Sequence, residues 1–332
     1  MSNWLKNLNY DPIESLLESN NFSIIYFTKR DLLDKKVESI QTIWNLPEVN
    51  KILKKQQIDG SWKYLGKKAN LFPLYHYPLV ATFKIYRDLI EKYELDKSHP
   101  SCEKASEFIL SCQTKKGDIR GMIGNQYATY YTGYITSLLI KAGYLKDARI
   151  TTALEWLIEM RQDDGGWTIP ILTHYFDKKT THMLTSSNVK PVEPDKSQPF
   201  SHNWTNMVLQ GFSIHPDYKN RKDIIKAAEL LKSRFFKRDV YQSYQSPKYW
   251  TRFGFWWPNL LTALKSLHLI GYTVKDETIF LGLKWFLENQ EKDGFWNVKF
   301  DPKKTIKKSK INDLRRQWLS LKICRLLKNY YL

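Results

Sequence analysis

Two aspartates are the candidates for a catalytic proton donor in this sequence. Asp195 follows Glu193-Pro194 in a long segment before a helical run, and Asp313 stands at the start of the last predicted helix. A carboxylic acid that donates a proton must be held protonated by burial or by neighbouring carboxylates. Asp313 is followed by Arg315-Arg316, which favour its ionised form. We keep both residues as candidate proton donors, although no motif singles out either one.

Residues that bind metals do not occur at metal-site spacings. His174, His182 and His202 are too far apart in the sequence for a standard zinc site. The sequence also lacks an acidic cluster of the D-D-x-x-D type, which would hold Mg²⁺ on a diphosphate. We therefore predict no metal and no cofactor.

Aromatic residues recur at the starts of apolar helical runs. They are Tyr75, Tyr130, Tyr131, Trp204, Trp256 and Trp257. Aromatic rings bury apolar chains and stabilise cations, so rings that face a common cavity would suit an isoprenoid ligand. Ordinary packing between helices uses the same residues. We predict these six as substrate-binding residues and keep packing as the alternative.

An internal repeat positions these side chains. Four helical runs end in similar segments, each with a glycine that is usually followed two residues later by tryptophan. The glycines are Gly60, Gly117, Gly165 and Gly294. The last gap is about twice as long as the others, and a degenerate copy at residues 222–236 fills it. Since each copy contains two helical runs, we predict five helical hairpins and no run of strands.

The segments that end in Trp62 and Trp296 have the pattern Q-x-x-D-G-x-W or a close variant of it. They resemble the QW motifs of squalene–hopene and oxidosqualene cyclases and the related repeats of protein prenyltransferase β subunits. The resemblance covers residues 37–332 and implies an all-α fold, the α/α toroid, in which outer helices surround inner helices and a central cavity. It implies a structural role for the motif: the glutamine bonds carbonyls freed at the helix end, and the tryptophan covers that end.

Two copies depart from the pattern. One has Arg161 at the glutamine position and Gln162 one place later, and another has Ile119 in place of tryptophan. The D-x-D-D acid motif of the cyclases is missing, and the adjacent pair Asp163-Asp164 lies inside a motif copy. The zinc ligands of the prenyltransferases also have no counterpart. The resemblance therefore implies an isoprenoid-binding fold without ordinary cyclisation chemistry.

The chain is strongly basic, with a net charge of +18 from 52 basic and 34 acidic residues. Such a charge attracts anions, and the densest basic run is at residues 303–310. A solvated loop, an anionic membrane surface and steering of a diphosphate all fit this run. No nucleic-acid-binding motif accompanies the charge, so nucleic acid is not an expected partner.

Other features concern compartment and domains. The cysteines, Cys102, Cys112 and Cys324, include no C-x-x-C pair, which favours reduced thiols and a cytoplasmic location. Peripheral contact with a membrane remains open.

We predict a helical lead-in at residues 1–36, packed on a single toroid domain at 37–332. Residues 168–201, which interrupt the repeat, are a candidate lid.

Two functions remain at this stage. One is an isoprenoid-handling protein related to terpene cyclases or prenyltransferases. The other is a non-catalytic toroid that binds a protein, peptide or lipid partner. A buried carboxylate close to the aromatic residues would favour an enzyme, whereas a filled centre would favour the scaffold.

Overall fold

The computed structural model describes residues 3–66, 72–241, 245–253, 257–297 and 309–332. Within these ranges the chain is helical, and its single strand, β1 (Met122–Asn125), belongs to a local ribbon. The predicted all-α class is therefore confirmed. The chain divides into two compact units, which we call unit 1 (Met1–Ser39 with Leu231–Leu332) and unit 2 (Ile40–Leu230).

The helices are numbered in chain order, and unit 1 contains the first and the last of them. Unit 1 begins with α1 (Ile13–Leu17) and α2 (Phe22–Phe27). The helices of unit 2 are α3 (Gln41–Trp44), α4 (Pro47–Leu53), α5 (Tyr77–Tyr93), α6 (Pro100–Ser111), α7 (Thr129–Leu139), α8 (Ala148–Glu159), α9 (Lys178–Ser186), α10 (His202–Ser213) and most of α11 (Lys222–Lys232). Unit 1 then continues with α12 (Leu260–Ile270), α13 (Glu277–Glu288) and α14 (Lys310–Tyr331).

The ten helical runs predicted for the five hairpins are all helices in the structure, and we take them in chain order as five pairs. We call the first helix of each pair outer and the second inner. The pairs are α4 with α5, α6 with α7, α8 with α10, α11 with α12 and α13 with α14. In α7 every residue except Tyr131 is buried, and in α10 every residue except Gln210 is buried. A helix that is buried on all sides belongs to the interior of a fold, as the inner helices of a toroid do.

The motif glutamine connects one copy to the next. Gln56 Nε2 donates to the Gly60 carbonyl at 2.9 Å and to the Ser101 carbonyl, in the first turn of α6, at 2.8 Å. Gln113 makes the same pair of bonds, to its own motif glycine at 2.9 Å and to Arg149 in the first turn of α8 at 2.8 Å. From the sequence we expected the glutamine to bond carbonyls at the end of its own helix. In the structure its two acceptors are the carbonyl of its own motif glycine and a carbonyl in the first turn of the next outer helix.

The tryptophan, by contrast, bonds the end of its own outer helix. Its Nε1 donates to a carbonyl in the last turn of that helix, where carbonyls lack the regular bond from the N–H four residues further along. The pairs are Trp62 with Ile52 at 3.0 Å, Trp167 with Leu157 at 2.6 Å and Trp296 with Phe286 at 2.7 Å. All three rings are buried. The expectation that tryptophan covers the helix end is confirmed.

The motif glycine is required by both conformation and space. Gly60 and Gly117 have φ values of +88° and +115°. A Cβ on Gly60 would lie 2.2 Å from the Lys104 carbonyl oxygen, and one on Gly117 would lie 2.3 Å from that of Thr152. Because the next outer helix packs directly on the glycine, any side chain there would push neighbouring copies apart.

In the third copy, the contact to the next outer helix and the glutamine side-chain bonds are made by two different residues. Arg161 donates to the Asp223 carbonyl in the first turn of α11 at 3.2 Å, which is the contact to the next outer helix. Gln162 donates instead to the carbonyls of Asp195 at 2.7 Å and Gln198 at 2.9 Å. Both of these partners lie in the 168–201 insertion. Because the glutamine stands one residue later than in the other copies, its side chain bonds the insertion and connects it to the repeat.

The degenerate fourth copy has a tryptophan contact at a different place, after the end of its outer helix. After α11 the chain turns at Phe236, whose φ is +59°, where other copies have glycine. The buried Trp250 donates from Nε1 to the Lys237 carbonyl at 3.1 Å, and its ring lies 5.1 Å from that of Phe235. Trp250 thus bonds the turn that follows α11 and not a carbonyl within the helix.

Candidate functional site

The inner helices α7 and α10 bring three predicted site residues together. The ring centroids of Tyr130 and Tyr131 lie 4.3 Å apart, and those of Tyr130 and Trp204 lie 4.5 Å apart. The two helices pack closely because both carry a glycine at the crossing: a Cβ on Gly133 would lie 2.6 Å from the Val208 Cα. The aromatic starts of α7 and α10 therefore form one group.

Two further rings extend this group. Phe83 of α5 lies 5.2 Å from Tyr131 and 5.7 Å from Tyr134, both in edge-to-face geometry. We call Phe83, Tyr130, Tyr131, Tyr134 and Trp204 the aromatic cluster. Four of its side chains are buried and Tyr131 is half-buried, so Tyr131 is the most exposed ring of the cluster. The four-residue spacing of Tyr130 and Tyr134 in the sequence could have identified Tyr134, whereas nothing in the sequence singles out Phe83.

A polar group lies beside the cluster at Tyr134. This tyrosine hydrogen-bonds Glu91, and burial, reinforced by the charge of Glu91, raises the pKa of Tyr134 well above its usual value. Glu91 Oε1 also pairs with Lys141 Nζ at 3.2 Å. Arg87, one turn after Phe83 on α5, offsets part of the effect of Glu91 on Tyr134. The Tyr134 side of the cluster therefore holds fixed charges of both signs.

Tyr75 belongs to a different aromatic group at the start of α5. Its ring lies 5.0 Å from Phe72 and 6.1 Å from Tyr77. Burial raises the pKa of Tyr75 to about 12, and a hydrogen bond with Thr185 of the insertion opposes this shift. His182 of the insertion lies 5.4 Å from Phe72. Tyr75 thus contacts the insertion, and no described contact joins it to the aromatic cluster.

The insertion at residues 168–201 is folded and anchored. It contains a 3-10 turn at Pro170–His174 and helix α9. Its ends meet, since the Ser201 N–H donates to the Trp167 carbonyl at 3.0 Å. Gln126, just before α7, donates to the Leu184 carbonyl at 3.0 Å and accepts from the Val192 N–H at 2.9 Å.

The insertion also touches the starts of three inner helices. Thr185 contacts Tyr75 before α5, the Thr168 carbonyl accepts from Thr129 Oγ1 of α7 at 2.7 Å, and Ser201 is the N-cap of α10. Because the aromatic cluster begins at the starts of α7 and α10, the insertion lies next to it.

Asp195 has the geometry of a turn residue. Its carboxylate accepts hydrogen bonds from Ser197 Oγ at 2.6 Å and Gln198 Nε2 at 3.0 Å. These bonds lower the pKa of Asp195, with that to Ser197 contributing most. A proton donor needs the opposite shift, since it must stay protonated near neutral pH.

The remaining predicted residues lie in unit 1 or outside the described ranges. Asp313 is exposed in the first turn of α14, whose N-cap is Ser309. Trp257 is half-buried just before α12, and its carbonyl accepts from Asn259 Nδ2 at 3.1 Å. Trp256 and most of the basic run at 303–310 lie outside the described residues. In the part of the chain that the structure describes, no three His, Cys, Asp or Glu side chains are grouped as metal ligands.

The part of the chain that includes α7 matches a known protein family. Residues 84–190 match the family model of the squalene-hopene cyclase C-terminal domain. This part of the chain is squalene-hopene cyclase-like. The match confirms the predicted resemblance to squalene–hopene cyclases. No curated protein sequence matched the chain. A crystal structure of a protein from Actinoplanes aligns over 92% of this chain and 90% of that chain, at 12% identity and a TM-score of 0.46.

Across the described ranges, no helix has both the length and the apolar character needed to cross a bilayer.

Proposed function

We propose that this squalene-hopene cyclase-like protein handles isoprenoids and that the aromatic cluster binds a prenyl or polyprenyl chain. The observation that carries the proposal is the unbroken series of ring contacts from Trp204 through Tyr130 and Tyr131 to Phe83 and Tyr134. Three of these rings belong to α7, inside the region that matches the cyclase family. Aromatic faces suit such a ligand because they bury apolar surface and stabilise positive charge.

The ligand's path follows from burial. Tyr131 is the one residue of α7 that is not buried, so the ligand contacts the cluster there first. The insertion beside the helix starts acts as the lid. An anionic head group suits the net charge of +18, and salt weakens its attraction by screening.

The proposal is for binding and excludes cyclisation of squalene by the family's usual acid. The D-x-D-D motif is absent from the sequence, and hydrogen bonds lower the pKa of Asp195. Asp313 remains a candidate acid on sequence grounds alone.

Calorimetry with farnesyl and geranylgeranyl diphosphate at low and high salt tests the proposal. We expect a dissociation constant below about 100 μM at low salt, equivalent to about 5.5 kcal/mol of binding free energy. Tyr131→Ala should weaken binding about tenfold, because one ring contact contributes on the order of 1 kcal/mol beyond its buried area. Tyr86→Phe is the matched control, since Tyr86 is buried on α5 and hydrogen-bonds Ser106 outside the cluster.

The second function is the non-catalytic scaffold, and the burial of four cluster rings favours it, because helix packing alone requires that burial. Absence of binding by a folded protein at about 100 μM ligand would leave this alternative. Native mass spectrometry of the purified protein then shows whether it carries a lipid, a peptide or a protein. Formation of hopene from squalene would show that an acid had been missed.

A further inference from the structure

In unit 2 each of the first two motifs receives the start of the next outer helix. The glutamines of the first two copies donate to the second residue of α6 and of α8, Ser101 and Arg149. The glycines of the same copies lie against carbonyls three residues further along these helices, at Lys104 and Thr152. Each motif is therefore a docking surface for the first turn of a helix.

The last motif, in unit 1, receives the N-terminal segment at the same atoms. Gln290 Nε2 donates to the Tyr10 carbonyl at 2.7 Å and to its own Gly294 carbonyl at 3.0 Å. A Cβ on Gly294 would lie 2.7 Å from the Pro12 Cα, so the segment packs on the glycine as an outer helix does. Helix α1 begins at Ile13, directly after this contact.

Further bonds surround this contact on both sides. The N–H groups of Asn9 and Tyr10 donate to Gln290 Oε1, each at 3.1 Å. Asn9 Nδ2 donates to the Leu287 carbonyl at 2.6 Å. Ser15 Oγ donates to the Asp293 carbonyl at 3.1 Å. The bonds involve both the backbone and the side chains of the segment, so the register of its docking is fixed.

We propose that the last motif is a docking surface whose occupant is residues 9–19 of the same chain, a strap that takes the place of an outer helix and can detach as one unit. The five-residue helix α1 is too short to be stable alone and depends on the docked contacts. The chain after the strap has a separate anchor on α14, where Lys328 Nζ pairs with Asp34 at 2.6 Å and donates to the Asp31 carbonyl at 2.9 Å. Detachment of the strap breaks its bonds to the motif and the bond from Ser19 Oγ to Gln317 Oε1 of α14 at 2.7 Å, and it exposes the buried Leu16, while residues 31–34 keep their own contacts.

Hydrogen exchange of the full chain, followed by mass spectrometry, tests this proposal. Gln290→Ala removes three of the docking bonds, and we expect residues 9–19 to exchange at least about tenfold faster, with α13 unchanged. Gln113→Ala is the matched control, because it removes the equivalent glutamine in unit 2. It should leave the strap unchanged and accelerate exchange at the start of α8.

A second variant acts from the strap itself. Asn9→Ala removes the exposed bond to Leu287 without touching the motif, and it should also accelerate exchange in residues 9–19, by about threefold or more. If the Gln290→Ala variant does not fold, the Asn9→Ala variant tests the proposal by itself. Unchanged exchange of the strap in both variants would overturn the proposal, as would acceleration of α13 to the same extent as the strap.

Discussion

Replacement of Trp296 provides the sharpest test of how the repeat is stabilised. Its ring is 1% exposed, its Nε1 donates to the Phe286 carbonyl at 2.7 Å, and its backbone N–H donates to Ser320 Oγ of α14 at 3.0 Å. The residue therefore joins the end of the outer helix α13 to the inner helix α14. Substitution by alanine removes the ring and the indole bond and keeps the backbone bond.

The magnitude follows from these contacts. Trp296→Ala should reduce the free energy of unfolding by about 3–5 kcal/mol, the range for loss of a buried tryptophan. Trp296→Phe keeps most of the ring and leaves the Phe286 carbonyl without its donor, so the expected loss is about 1–3 kcal/mol. The same ordering should hold at Trp62, whose ring is 2% exposed.

Urea unfolding followed by circular dichroism at 222 nm measures these differences. Trp285→Ala is the control: Trp285 lies on α13, is half-buried, and makes ring contacts with Phe253 and Phe286. We expect it to be less destabilising than Trp296→Ala. A loss below about 1 kcal/mol at both Trp296 and Trp62 would refute the structural role of the motif, since fully buried rings cost more than this to remove.

Two other perturbations probe the connections between elements. Gly117→Ala should destabilise the protein more than Gly271→Ala, because both have positive φ but only Gly117 faces a carbonyl at 2.3 Å; equal losses in urea unfolding would contradict the packing argument. Acid should also destabilise the protein, because three histidine rings accept backbone N–H bonds through unprotonated Nδ1 atoms and burial lowers their pKa values from 6.5. They are His76, His99 and His215. Below pH 6.5 the unfolded chain therefore binds more protons than the folded protein. The free energy of unfolding should be highest above pH 6.5 and should decrease as the pH falls below that value. Urea unfolding at pH 7.5 and about 5.5 measures this, and His99→Asn, which caps without titrating, should reduce the fall; equal stability at both pH values would contradict it.

The repeat was readable from the sequence because its chemistry is local. A glycine with positive φ and a tryptophan ten residues from its acceptor lie within one short segment, so the helix ends at Gly60 and Trp62 were predictable. The partner of Gln56 was not, because Ser101 is 45 residues away and belongs to the next copy. The sequence showed that a glutamine was present without showing which two helices it connects.

The aromatic cluster illustrates the same limit. Tyr130, Tyr131 and Trp204 were predicted from their places at helix starts, and ring contacts join them. Phe83 was missed because its role depends on the crossing of α5 and α7, which periodicity along one helix does not reveal. Tyr75 occupies an equivalent place in the sequence and contacts the insertion instead, because Thr185 lies beside it.

The position of the irregular copies bears on function. Sequences tend to break their own local rules at sites where something other than stability is selected. Here the third copy shifts its glutamine by one residue, so that Arg161 connects to α11 while Gln162 holds the insertion at Asp195 and Gln198. That insertion is the segment that lies over the inner-helix starts beside the aromatic cluster. A repeat that needed only to pack would have kept the glutamine in register, as the first two copies do. The departure therefore favours a role for the insertion at the aromatic cluster, and Gln162→Ala should loosen the insertion there while Arg161 still connects the copies.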